Sequence, residues 1–284
     1  MAKRKLSRNI LIVCEGTKTE PDYFRYIAQK LSYPNHIWDK VEISDNTTLP
    51  NEIPIPGPTM LKVRKKRHFI NPNKHKKGDK NALKELCDYL YGEDASIEIY
   101  QSIKAVPLRY VGQAQLIENE QQLYEELWAV FDKDGHTYHK EAFIKAKEVV
   151  NGKVVNIGFS SRSFEHWILL HFEKNKSPFL ASNCKDKNGD PLGCNSNFGC
   201  KGLKCLCGYI RTFTPLKNFN KSNSPEELSK MMEVLLKPAT LERAFENAAW
   251  LRAEIEKDSS NKAKEVYDLN PYTNIDILVK TLIS

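Results

Sequence analysis

One short stretch near the N-terminus constrains the fold more than any other. Asn9-Ile-Leu-Ile-Val-Cys14 is a continuous apolar run rich in β-branched side chains. It lacks the alternation of a half-exposed strand, so it predicts a strand buried on both faces, as inside a parallel sheet. The run stops at Glu15-Gly16, and a helix is expected directly after it. Thr19 can cap that helix with Asp22 three residues on, Pro21 suits its first turn, and Phe24, Ile27, Ala28 and Leu31 form one apolar stripe. Strand, turn and helix in this order form one unit, with Glu15 and Gly16 at the turn.

The unit recurs. Regular structure is expected to resume with a strand near 105–111 and a helix near 119–126. Trp128-Ala-Val-Phe131 reads as a further short strand ending in Asp132-Lys-Asp134-Gly-His136. A helix is expected over 140–150, a strand over 154–159 and a helix over 164–173. Strands alternating with helices of this length predict an α/β class with a doubly wound, mostly parallel sheet and flanking helices. Between 32 and 101, Pro34, Pro50, Pro54, Pro56, Pro58 and Pro72 interrupt the pattern, and only one helix, 80–91, is expected there. The chain therefore divides into an α/β core over 1–175, carrying an insertion at about 35–120, and a region over 176–284. The latter comprises a Cys-containing loop and a helical C-terminal part packing on the core. Helices are expected at 225–236, 241–256 and 275–283, with a turn at Asn270-Pro271.

With 284 residues the chain can bury a sizeable core, and its apolar runs are too short to cross a bilayer. The basic start, Met1-Ala-Lys-Arg-Lys, precedes Glu15, Lys18 and Glu20 rather than a long apolar segment, so a cytoplasmic protein with no membrane partner is expected. The net charge of +7 leans toward a polyanionic partner. Between Lys62 and Lys80 there are nine Lys or Arg and one acid. Arg64, Lys65, Lys66, Arg67, Lys74, Lys76 and Lys77 are the nucleic-acid-binding candidates, although such a run also suits a plain solvated loop. Of seven cysteines, Cys14 and Cys87 stand in apolar surroundings. Cys184, Cys194, Cys200, Cys205 and Cys207 fall in a Gly- and Asn-rich stretch. There a structural Zn²⁺ held by Cys194, Cys200, Cys205 and Cys207 competes with unpaired thiols, since the spacing is not that of paired C-x2-C knuckles.

Three acidic signals share one kind of place. Glu15 follows the first strand, Asp132 and Asp134 follow a later one, and Glu165 opens the helix after a third. Strand carboxyl ends line the ligand crevice of an open α/β sheet, so acids just past them can converge. Gathered carboxylates repel one another, and a hard divalent cation relieves that repulsion. Each signal alone has a bland explanation as a turn former or a helix start. Asp132 does not open a calcium loop of the EF-hand kind, because the twelfth position is Phe143. His136 and His139 lie close enough after Asp132 to assist proton transfer, while His166 and His171 read as core.

The segment Ile10-Leu-Ile-Val-Cys-Glu-Gly-Thr-Lys-Thr-Glu-Pro-Asp-Tyr-Phe24 resembles the opening motif of RloB-like proteins, in the Toprim superfamily beside the OLD nucleases. Val130-Phe-Asp-Lys-Asp134 is similar to their D-x-D strand. Phe159-Ser-Ser-Arg-Ser-Phe-Glu-His-Trp-Ile-Leu-Leu-His-Phe172 is similar to their S-F-E-x-W block, and Asn270-Pro-Tyr-Thr-Asn-Ile275 to their closing segment. The resemblance implies a Toprim-like fold and phosphodiester hydrolysis of RNA or DNA, with Mg²⁺ or Mn²⁺ in a two-metal site. Glu15 and Asp132 would hold one ion, and Asp134, Ser163 and Glu165 the other. Glu20 would be an outer carboxylate, Glu15 would handle protons, and Lys18 and Lys133 would stabilise developing charge. It also implies a part in bacterial antiphage defence, beside an AAA/ABC-type ATPase or CRISPR-associated partner. The rival expectation is a non-cleaving nucleic-acid-binding or regulatory subunit of such an ATPase complex.

Overall fold

The structure, a computed structural model, describes residues 9–16, 19–30, 40–44, 52–54, 60–62, 106–122, 124–133, 138–183, 205–219 and 224–283. In chain order, β1 is Asn9–Cys14, α1 Thr19–Lys30, β2 Lys40–Ser44, β3 Glu52–Pro54, β4 Met60–Lys62 and α2 Val106–Gln121. There follow β5 Glu126–Asp132, α3 His139–Lys145, β6 Val155–Ser161, α4 Glu165–Leu170 and α5 Leu206–Phe213. The chain closes with α6 Pro225–Leu235, α7 Pro238–Lys257, β7 Tyr272–Thr273 and α8 Ile275–Ile283. The main sheet has the order β2-β1-β5-β6-β7. Its first four strands are parallel, and β7 pairs antiparallel with β6. β3 and β4 form a separate antiparallel pair.

β1 lies near the centre because its sequence tolerates no water on either side. Ile10, Ile12 and Cys14 enter one core and Leu11 and Val13 the other, all fully buried. Full burial of such a side chain contributes about 1.5–3 kcal/mol relative to exposure. β5 alternates in the same way, Trp128 and Val130 against Leu127, Ala129 and Phe131. Tyr23, Phe24 and Ile27 of α1 cover the first face, whereas Tyr110, Val111 and Ala114 of α2 and Ala142 of α3 cover the second. From β1 the chain thus steps to β2 with its helix on one face, then to β5 and β6 with helices on the other. The winding reverses between β1 and β5.

The C-terminal helices share the first core with α1 and the sheet, as Trp167, Leu206, Met232, Leu251 and Leu278 belong to one cluster. Arg252 on α7 grips the fully buried Asp276 of α8 through two hydrogen bonds, 2.6 and 2.9 Å, and donates to the Thr273 carbonyl at 2.9 Å. The Asn-Pro-x-Thr-Asn segment has a structural role of its own. Asn274 Oδ1 accepts the Phe159 amide at 2.7 Å and its Nδ2 donates to the Ile157 carbonyl at 2.9 Å, so a side-chain amide stands in for a strand neighbour at the edge of β6. Among the described residues no helix is long and apolar enough to cross a membrane.

Several expectations change. The strand expected near 105–111 is the first half of α2, and 119–126, expected as a helix, holds the end of α2 and the start of β5. Leu108, Tyr110, Val111, Ala114 and Ile117 continue at helical spacing beyond the short apolar run, and that longer stripe packs on the sheet. β2 joins the sheet, and α2 its layer, from inside the stretch set aside as an insertion. α3 and α4 are shorter than expected, and α5 forms where a loop was anticipated. The helix expected at 80–91 lies outside the described residues.

Candidate functional site

In an open α/β sheet, ligands bind outside the carboxyl ends of the strands where the winding reverses. Glu15 and Asp132 stand there. The Glu15 amide donates to the Val130 carbonyl at 2.8 Å, carrying the ladder one step past β1. Its side chain turns to β5, where Glu15 Oε2 accepts the Asp132 amide at 2.9 Å across 117 positions of sequence. Asp132 ends β5 and is 5% exposed. The His139 Nε2 lies 3.1 Å from the Asp132 carbonyl, which can only accept, so this nitrogen carries the proton. His139 also packs edge-on against Phe159, which fixes its ring.

Glu20 reaches the same place from the first turn of α1. A Cβ added at Gly16 would stand 1.7 Å from Glu20 Oε2, so the carboxylate lies over the Gly16 backbone, where only glycine leaves room. The positive end of the α1 dipole favours negative charge there. On the far side, burial pushes the Tyr110 hydroxyl above its ordinary pKa, and the charges of Glu15 and Glu20 push it further, with Arg109 opposing. Tyr110 therefore lies within electrostatic reach of both carboxylates. Sequence reasoning missed it because its segment reads as a strand; the helical stripe through Ala114 and Ile117 was the available signal.

The β6 exit lies next to that of β5, with Asp132 opposite Ser160. Ser163 Oγ donates to Glu165 Oε2 at 2.5 Å, and both residues are buried at the start of α4. At the C-terminal end of α4, His171 ties it to α1. Its Nδ1–H donates to the Trp167 carbonyl at 2.9 Å, which leaves Nε2 to accept the Tyr23 hydroxyl at 3.1 Å. Burial holds His171, and His166 beside Glu165, down to a pKa of about 4, so both are neutral core imidazoles as their apolar helix suggested.

The RloB-like protein family model matches residues 10–282. The chain belongs to that family. No curated protein and no solved structure matches it. The match spans every element of this RloB-like chain that meets at the site, from Glu15 to Asn274.

Of the residues singled out in the sequence, Glu15, Glu20 and Asp132 meet at the β1 and β5 exits, and Ser163 and Glu165 lie together at the β6 exit. Lys133 reaches the Leu269 carbonyl at 3.5 Å. Lys18, Asp134, His136, Arg64, Lys65, Lys66, Arg67, Lys74, Lys76, Lys77, Cys184, Cys194 and Cys200 lie outside the described residues. Cys205 Sγ accepts the Gly208 amide at 3.2 Å as the N-cap of α5, and Cys207 is buried in the first core. Among the described residues no three His, Cys, Asp or Glu side chains already enclose a metal-sized space. The groups that do meet are oxygen donors, the set that suits a hard cation rather than zinc.

Proposed function

We propose that this RloB-like chain is a Toprim-type, Mg²⁺- or Mn²⁺-dependent nuclease hydrolysing phosphodiester bonds of RNA or DNA. The observation that carries this is the Glu15 carboxylate on the Asp132 amide, at the point where the winding of the sheet reverses. Glu15 and Asp132 would hold one cation, with Asp134 beyond β5 and the Ser163–Glu165 pair serving a neighbouring one. Such an ion, when bound, supplies a water of lowered pKa and neutralises charge at the phosphate. Glu15, hydrogen-bonded by a backbone amide, is held in one orientation and can take or return a proton at Oε1 or Oε2. Glu20, lying over the Gly16 backbone, would serve as an outer carboxylate of the site. His139, holding the Asp132 carbonyl, fixes the β5 exit. The buried Ser163 hydroxyl orients Glu165. A role in antiphage defence with an ATPase or CRISPR-associated partner rests on family membership alone.

The test is purified protein with Mn²⁺ and, separately, tRNA, single-stranded RNA and plasmid DNA. Cleavage is expected for one of them, with loss of at least 100-fold in Asp132→Ala and Glu15→Gln, the scale at which a displaced group disrupts chemistry (roughly 10²-fold). Absence of cleavage, or cleavage that survives Asp132→Ala, supports a non-cleaving regulatory subunit instead.

A further inference from the structure

We propose that Lys133, Arg162 and Lys264 form a binding site for the phosphate backbone of a nucleic-acid strand beside the carboxylates; this rests on the substrate class proposed above. Three strands bring the cations together. Lys133 leaves β5 with its amide on the Ser160 carbonyl at 3.0 Å, and Arg162 leaves β6 two residues further on. The antiparallel pairing of Ser161 with Tyr272 then draws the segment before β7 over the same edge. Tyr267 in that segment seats on Phe143 of α3 at 5.5 Å, and the Leu269 carbonyl receives the Lys133 ammonium. Lys264 sits on this segment, exposed.

Among the described residues the cations have only neutral hydrogen-bond partners. Lys133 bonds to the Leu269 carbonyl, Lys264 Nζ bonds to Asn261 Oδ1 at 3.0 Å, and Arg162 Nε is buried with no partner at all. Arg162, Lys264 and Asp268 all lie within electrostatic reach of Lys133. Like charges gathered in partly desolvated surroundings are costly unless an anion joins them, and Asp268 beside Lys133 and Asp258 beside Lys264 offset that only in part. A guanidinium with an unfilled donor suits a phosphate oxygen. The position adds a reason. Carboxylates alone would repel a polyanion, and cations at the same strand exits hold its backbone in place without entering the reaction. Lys133 thus binds backbone phosphate, rather than stabilising charge at the reacting group.

The experiment is fluorescence anisotropy of labelled 20-nucleotide single-stranded RNA and DNA with the full chain, in EDTA, over a range of KCl concentrations. The triple variant Lys133→Gln/Arg162→Gln/Lys264→Gln is expected to bind at least tenfold more weakly. Its log–log salt dependence should be shallower by about 2, since each phosphate contact on a single strand contributes about 0.7. The charge-keeping variant Lys133→Arg/Arg162→Lys/Lys264→Arg should retain most of the affinity, and Lys230→Gln, on the exposed face of α6, all of it. Unchanged affinity and salt slope in the Gln variant overturn the proposal, as does failure of the wild-type chain to bind either strand. Because no divalent ion is present, the outcome is independent of whether the chain cleaves anything.

Discussion

Gly16→Ala is the sharpest single perturbation of the site, because it adds one methyl group where the structure has a carboxylate. The new Cβ would lie 1.7 Å from Glu20 Oε2 and 2.4 Å from Glu20 Cδ, whereas Cβ contacts under 3.0 Å are essentially never seen. The Glu20 carboxylate must therefore retreat by more than an ångström. It ends a flexible side chain, so the fold absorbs the change at about 1 kcal/mol or less. A displacement of about 1 Å at a reacting centre can nevertheless lower the rate by about 10²-fold. Gly16→Ala should thus keep its urea midpoint nearly unchanged while losing about 100-fold in Mn²⁺-dependent cleavage. Mn²⁺ affinity, read by calorimetry, should fall about 10–100-fold, as for removal of an outer-shell partner. Glu20→Gln should reproduce the loss, and the double variant should add nothing further, since both act through one carboxylate. Full activity in Gly16→Ala, or additive losses in the double variant, would refute the assignment of Glu20.

Other consequences follow from the scaffold. Asp276→Ala leaves Arg252 without its fork and should cost about 3–5 kcal/mol in chemical denaturation; a change under 1 kcal/mol would contradict the clamp between α7 and α8. Asn274→Ala removes both bonds to β6 and should cost about 2–4 kcal/mol, with Asn274→Asp losing roughly half of that because it keeps only the acceptor. His166 and His171, held to about 4, refuse protons that the unfolded chain takes up near 6.5. Folding stability should accordingly be complete above about pH 6.5 and fall as pH drops toward 4, by up to ~2.7 kcal/mol per pH unit for two protons. His166→Leu should halve that slope at little cost, and a pH-independent stability between 7 and 5 would exclude the buried neutral state.

Wherever the deciding interactions are local, the chain states its own structure. The unbroken apolar run of β1, the Glu15-Gly16 stop, the strands ending at Asp132 and near Ser160, and the last helix all follow from neighbours within a few residues. What tertiary structure alone decided are contacts between distant residues. No local pattern says that the Glu15 carboxylate finds the amide of Asp132, that Glu20 folds over Gly16, or that Asn274 completes the edge of β6. The sheet order does that, by setting β5 beside β1 and β7 beside β6. Tyr110 went unread because a short apolar run fits both periods, and packing against the sheet selects the helical one. Lys133, Arg162 and Lys264 became one group only when three strand ends were laid edge to edge, since charge clusters depend on distance in space and carry no signature along the chain.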